Sequence, residues 1–446
     1  MKKLLLCAIL LILHFNSSAQ FIVSADKHHV LKDGKPFFWL GDTAWELFHR
    51  LDRNDADRYL KRRAEEGFTM IQAVVLAEFD GLNQANPYGE KPLDNNDPTK
   101  PNPKYFEHVD YVIDKAASLG LNIALLPTWG DKLNKEWGIG PEIFNEQNAA
   151  TYATWLVKRY KSKKNLVWVL GGDRNPKNAK EVAVWNAMGK AIKQADPKAF
   201  VTYHCQPNQL GSAQWFNNES WFDFNMFQNG HCRDSPIYDK ILASYNSQPT
   251  RPVLDGEPLY EDHPICFNAK DLGTSSPYDV RKYAYLDLFS GAFGHTYGCH
   301  DVWQMYSPKH DPINGPHNYW YDALDLPGAN QMTYLKKLMT SHPILDRVPD
   351  QSIIEENNNS AAERIQATRG KDFIFIYSAW GKPFTVLPGK ISGEQLNAYW
   401  FNPRDGKVRN IGTQPNVKKK YTPPDNGYGH DWVLVLDAQG TSYKIE

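Results

Sequence analysis

Two short stretches of the chain run an apolar segment into a carboxylate. In NLVWVLGGDRNP (165–176) the acid is Asp173, reached through two glycines, and in RPVLDGEP (251–258) it is Glu257. A segment apolar at nearly every position reads as a strand covered on both faces, so an acid at its end emerges where the backbone leaves the core. One such acid could equally be a turn residue or a helix cap. Two acids facing one cleft are what cleavage of a glycosidic bond needs. One carboxyl protonates the leaving oxygen while the other attacks the anomeric carbon or activates water.

Positioning these acids falls to a regular alternation of apolar strands and amphipathic helices. FFWLGDTAW, TMIQAVVL, LNIALLPTW, LVWVLGGD, AFVTYH, WFDFNMFQ, RPVLDGE and GAFGHTYG read as strands. Segments such as NDADRYLKRRAEEG, YFEHVDYVIDKAASLG and AKEVAVWNAMGKAIKQAD read as the helices between them. Eight strands in this order predict an α/β fold, a (β/α)8 TIM barrel over residues 20–344. An open doubly wound sheet would want a glycine-rich phosphate turn after its first strand, where Gly41-Asp42-Thr43-Ala44-Trp45 stands instead.

A barrel carries its site at the C-terminal ends of its strands. Reading those ends in order gives the candidate substrate-binding residues: Asp42, Trp45, Glu78, Trp129, His204, Gln228, His295, Tyr297, His300 and Trp303. Asp42 would bond a sugar hydroxyl or simply fill a polar turn. The tryptophans would stack on sugar rings or sit under the rim as core. His204, His231, His295, His300 and His310 show no HExxH or HxH spacing, so they are expected to donate to hydroxyls or to the nucleophile. No metal and no cofactor is expected. His263 beside the Glu257 loop and Glu78 after the second strand are weaker candidates, and Glu261, four residues past Glu257, lies outside the strand end. Arg174 is expected to point away from Asp173, because its charge would oppose protonation of that acid.

Composition narrows the partners. The 446 residues include 14 Trp, 23 Tyr and 21 Phe, with a formal net charge of −1. No basic stripe is present, which argues against nucleic acid. MKKLLLCAILLILHFNSSA (1–19) has the charged start, short apolar run and small-residue end of a signal peptide, so export to the periplasm or cell exterior of a bacterium is expected, with no membrane span. Cys205, Cys232, Cys266 and Cys299 would remain, with three pairings open and no CxxC spacing for zinc. Residues 345–446 change to short alternating runs separated by turn signals, a small antiparallel β-sandwich domain. Trp400 and Trp432 are expected to pack it on the barrel. A monomer is expected.

FFWLGDTAWELFHRL, VWVLGGDRNP, VLDGEPLYE and GAFGHTYGCHDVWQ resemble the apiosidase-like hydrolases, glycoside hydrolase family 140. AYWFNPRDGK and DWVLVLD resemble the small collagen-binding-type domain that follows such barrels. The resemblance spans nearly all of the chain beyond residue 19. It implies a retaining hydrolase with Asp173 as acid/base and Glu257 as nucleophile, acting on apiose in the pectic polysaccharide rhamnogalacturonan II. The chain departs from the wider clan of such barrels, which places Asn–Glu where Gly172-Asp173 stands here. Its substrate is expected to be a plant polysaccharide or oligosaccharide. Two alternatives remain open: another exo-acting furanosidase such as an arabinofuranosidase, and an inert carbohydrate-binding or adhesion protein.

Overall fold

The computed structural model of the protein describes residues 20–355 and 359–445. The expected leader, residues 1–19, lies outside the described residues. Eight strands form one parallel sheet: Trp39–Thr43, Met70–Leu76, Asn122–Thr128, Leu166–Gly171, Val201–His204, Asn225–Gln228, Val253–Glu257 and Gly294–Tyr297. Numbered first to eighth along the chain, they pair in the order five-four-three-two-one-eight-seven-six. The fifth and sixth strands complete the ring through single bonds rather than a ladder: Thr202 Oγ1 donates to Phe224 O at 2.6 Å, and Asp223 N to Val201 O at 2.8 Å. The expected (β/α)8 barrel is present.

Strand periodicity sorts the side chains. Trp39, Met70, Val74, Ala124, Leu126, Val167, Val169, Met226 and Leu254 fill the barrel interior. Their neighbours Leu40, Ile71, Ala73, Ile123, Leu125, Trp168 and Leu170 face the surrounding helices. Those helices start on polar caps: Asp52, Asn102, Asn145, Asn178 and Ser276 each accept a backbone N–H of the first turn. At the other end of the barrel a small antiparallel sheet (Phe21–Val23, Val30–Lys32, Lys35–Pro36) adds Phe21 and Val30 to the interior cluster, closing the floor. Among the described residues no helix is long and apolar enough to cross a membrane.

The C-terminal part is an antiparallel sheet in the order Val348–Pro349, Ile365–Arg369, Phe373–Ser378, Trp432–Ala438, Gln395–Phe401, Val408–Pro415. A second pair, Phe384–Val386 with Lys419–Tyr421, shares a core with one of its faces. Alternation again decides what goes where. Ile374, Ile376, Leu434, Leu436, Trp400 and Trp432 lie in that inner core. Phe373, Phe375, Tyr377, Val433 and Val435 lie on the opposite face and join the core built with the barrel helices. The expectation that Trp400 and Trp432 dock the sheet on the barrel is therefore corrected. Both rings belong to the sheet's own interior, and the odd-numbered aromatic face of Phe373–Ser378 makes the contact.

Candidate active site

The fourth strand stops at Gly171, and the chain then turns through three residues with positive φ: Gly171 (83°), Gly172 (115°) and Asp173 (50°). The two glycines are required sterically. A Cβ on Gly171 would lie 2.3 Å from His204 O, and one on Gly172 would lie 2.7 Å from the Trp129 ring. Asp173 holds a left-handed conformation that L residues seldom adopt, the kind of local strain that concentrates at functional sites. Its backbone N–H donates to His204 Nδ1 at 3.1 Å. That bond fixes the imidazole tautomer. With Nδ1 accepting, a neutral His204 carries its proton on Nε2, which lies 3.0 Å from Glu257 Oε2.

Glu257 reaches the cleft because the seventh strand is irregular. By simple alternation it would share the outward face of Asp255. The pairing with the sixth strand slips between Asp255 and Glu257, so Asp255 pairs with Phe227 while Glu257 pairs with Gln228. This one-residue slip turns Glu257 inward, beside Gln228 at the barrel mouth. His231 Nε2 lies 3.2 Å from Glu257 Oε1, so each carboxylate oxygen faces an imidazole nitrogen. The loops carrying these groups are tied together. Cys232 and Cys266 form a disulfide, and Cys266 N donates to His231 O at 2.7 Å. Cys205 and Cys299 are free and buried.

Asp173 and Glu257 line the same cleft, about 760 Å³, with Trp45, Glu78, Trp129, Gln228 and Trp303 from the expected set. His204 lies beneath it, edge-on to Trp45 with ring centroids 5.4 Å apart. His300 stands behind Trp303 and accepts the indole N–H at 3.3 Å. The cleft also holds residues outside the expected set, among them Phe79, Glu136, Trp137, Ile139, Gln206, Tyr260 and Phe267. Most lie on loops past the strand ends, where no strand pattern pointed to them. Trp129 Nε1, Gln228 Oε1, His231 Nδ1 and Tyr260 OH are buried without a hydrogen-bond partner among the described residues. A pocket lined by rings and bearing such free polar atoms suits a sugar, which offers apolar faces and hydroxyls together.

The two acids are held in opposite states. Burial, then the charges of Glu257 and Glu78, push Asp173 well above the usual carboxylate range, against the weaker pull of Arg174 and the Gln228 amide. Burial would raise Glu257 too, but hydrogen bonds and charge from His204 and His231 override it and bring the carboxyl down to about 2. Glu78 is a third acid in the cleft. Burial and the neighbouring Asp131 carboxylate lift it to about 8.

Several expected positions fall elsewhere. Asp42 and Tyr297 pair across the first and eighth strands, and His295 pairs with Leu40 one step earlier on that outward face. All three point to the helix layer. Asp42 accepts from Arg63 Nε and Tyr59 OH, both at 2.6 Å, and Tyr297 OH donates to Glu261 at 2.5 Å. His295 Nδ1 lies 2.7 Å from Asp287 of helix Pro277–Phe289. They stand near a strand end in sequence, and strand parity turns them away from the cleft. Arg174 does not point away from Asp173. Its Nη1 lies 3.6 Å from the Asp173 carboxylate, held there as Nε and Nη2 donate to Asn134 O and Lys135 O. Among the described residues no group of three or more His, Cys, Asp or Glu side chains is placed to hold a metal ion.

Two carboxyls in one cleft at a barrel mouth are an arrangement that glycosidic cleavage can use. Residues 24–346 match the family profile described as "Apiosidase-like, catalytic domain", and the chain belongs to that family. Residues 348–437 match a profile described as "Putative collagen-binding domain of a collagenase". Among solved structures, the chain is 34% identical to a glycoside hydrolase family 5 protein from Bacteroides vulgatus ATCC 8482, with 95% of this chain and 94% of that chain covered at a TM-score of 0.89. A second structure described as a glycoside hydrolase is 35% identical, with 96% and 99% covered at a TM-score of 0.88. No curated protein gives a significant match.

Proposed function

We propose that this glycoside hydrolase is exported and releases apiose from rhamnogalacturonan II by a retaining mechanism. The observation that supports two-carboxyl chemistry best is the opposed surroundings of two carboxyls in one cleft, and the product test below decides between retention and inversion. Glu257 is held ionised between two imidazoles, and Asp173 is held as the acid. In the first step Asp173 gives its proton to the glycosidic oxygen, and a Glu257 oxygen bonds to the anomeric carbon as the leaving sugar departs. Glu257 is then an ester and carries no charge. The charge that helped to hold the proton on Asp173 is gone, so the Asp173 carboxylate can take a proton from water. The resulting hydroxide attacks the anomeric carbon, the ester bond breaks, and Glu257 returns to its ionised form. His204 and His231 fix the carboxylate rotamer throughout. The pectic substrate is supported by membership of the apiosidase-like family.

The test combines product and intermediate. Incubation with rhamnogalacturonan II should release free apiose with net retention at the anomeric carbon, and a slow fluorinated apiosyl donor should label Glu257. Release of arabinose instead would move the substrate to another furanoside. Net inversion would remove the covalent intermediate from the mechanism.

A further inference from the structure

The loop that follows the third strand, NKEWGIGP (134–141), exposes two apolar side chains on a closely pinned backbone. Trp137 is 64% exposed and Ile139 is 49% exposed, and both line the cleft. Such exposure of a tryptophan costs free energy unless something covers it in use. The backbone beneath is not loose. Arg174 Nε and Nη2 donate to Asn134 O and Lys135 O at 2.9 and 3.0 Å, and Gly140 N donates to the buried Asp131 carboxylate at 2.9 Å. Glu136 adopts φ 42°, forms an ion pair with Lys177, and accepts from Gln206 Nε2 at 2.9 Å. A Cβ on Gly138 would lie 2.4 Å from Asp131 Cβ, so only glycine lets the loop come this close. The indole is therefore held in place before any ligand arrives, which lowers the cost of ordering it on binding.

The neighbours of the ring tell which sugar it would serve. One face of Trp137 lies on the Arg174 guanidinium, 4.3 Å from the ring centroid. That same guanidinium stands 3.6 Å from the Asp173 carboxylate. A single cation thus separates the indole from the proton donor. Phe267, by contrast, belongs with the nucleophile, packing edge-on against His231, the partner of Glu257. In a displacement at the anomeric carbon, the nucleophile and the leaving group occupy opposite sides, and the proton donor sits with the leaving group. We propose that Trp137 is the stacking platform for the leaving-group sugar, a ring held beside Asp173. This assignment rests on the roles proposed above for Asp173 and Glu257.

The test compares two substrates with one glycosyl group and different leaving groups: apiosyl fluoride, which offers no ring to stack, and an apiosylated rhamnogalacturonan II oligosaccharide. Trp137→Ala should lower kcat/KM on the oligosaccharide by about tenfold or more, mainly through KM, and change the fluoride by less than about twofold. Trp137→Leu, which keeps an apolar cover over Arg174 without a flat face, should show the same selectivity. Trp137→Phe should recover most of the loss. Equal losses on both substrates would place the ring on the glycosyl side and overturn the proposal, as would unchanged kinetics on the oligosaccharide. Failure of the apiosidase reading shows separately: the unmodified enzyme would then cleave neither substrate, and the proposal would fall with it.

Discussion

At the residue scale the functional reading turns on how differently the two carboxyls are surrounded. Replacing Glu257 with Gln should abolish turnover on every substrate, because the ionised carboxyl proposed to take the anomeric carbon is gone. Asp173→Asn should cost about 10²–10⁴-fold where the leaving group needs a proton, and far less on an activated aryl glycoside. Equal losses on both, with glycosylation limiting, would move the acid elsewhere, and Glu78 would be the first place to look. The pH profile gives a second check. The proposed mechanism needs Glu257 ionised and Asp173 protonated, so activity should persist into acid and fall on the alkaline side as Asp173 loses its proton. His204→Ala removes one of the two imidazoles that hold Glu257 low, so the acid limb should move to higher pH. Glu78 ionises near pH 8, and once charged it helps keep the proton on Asp173. Glu78→Gln should therefore shift the alkaline limb to lower pH with little change in the maximal rate. A kcat/KM profile that stays unshifted would show that the Glu78 charge does not reach Asp173.

At the element scale, the barrel was legible because each strand is a dense apolar run bounded by turn residues. The ends of the strands were less so, and the reason is parity. Side chains alternate with period two, so Asp42, His295 and Tyr297 are near the cleft in sequence yet face the helices. Glu257 lies in the cleft although simple alternation would turn it outward, and the slip in pairing after Asp255 leaves no mark in the residue pattern. In the small domain, the strand Val408–Pro415 has no clear signature in its sequence. It lies at the sheet edge, half exposed, without the alternation that burial imposes. The Gly171-Gly172-Asp173 turn is different, because its chemistry is written in the sequence. Only glycine fits the two positive-φ positions against His204 and Trp129. Gly172→Ala should cost about 1–3 kcal/mol in a thermal or denaturant melt. It should also reduce kcat more than that stability loss explains, since any shift of the turn moves Asp173. A variant with wild-type kcat and only a lower melting point would show that the carboxyl position does not depend on the tight turn.

At the scale of the whole molecule, the helix Pro277–Phe289 joins the small domain to the site. Every residue from Tyr278 to Phe289 is buried, because the barrel covers one side and the aromatic face of the sheet covers the other. Its charges are each paired. Arg281 forms a fork with Asp431 of the small domain at 2.9 and 2.6 Å, and Asp279 binds Arg233 at 2.9 Å while also accepting from Tyr428 OH at 2.9 Å. Tyr283 OH donates to Cys232 O at 2.5 Å. Arg233 and Cys232 directly follow His231, which holds Glu257. The sheet thus buttresses a helix that in turn pins the loop carrying one of the two imidazoles beside Glu257. Asp431→Ala would leave the Arg281 guanidinium buried without its carboxylate, a change that costs about 3–5 kcal/mol. The loss should appear in calorimetry as an earlier unfolding of barrel and sheet together, since the sheet face and the helix form one core. Because the damage travels through Pro277–Phe289 to the His231 loop, kcat should fall well below the melting temperature, and the acid limb of the pH profile should rise as Glu257 loses a donor. A sheet that merely hung beside the barrel would melt in its own transition and leave both kinetic quantities untouched. That result would confine the small domain to a role away from the cleft.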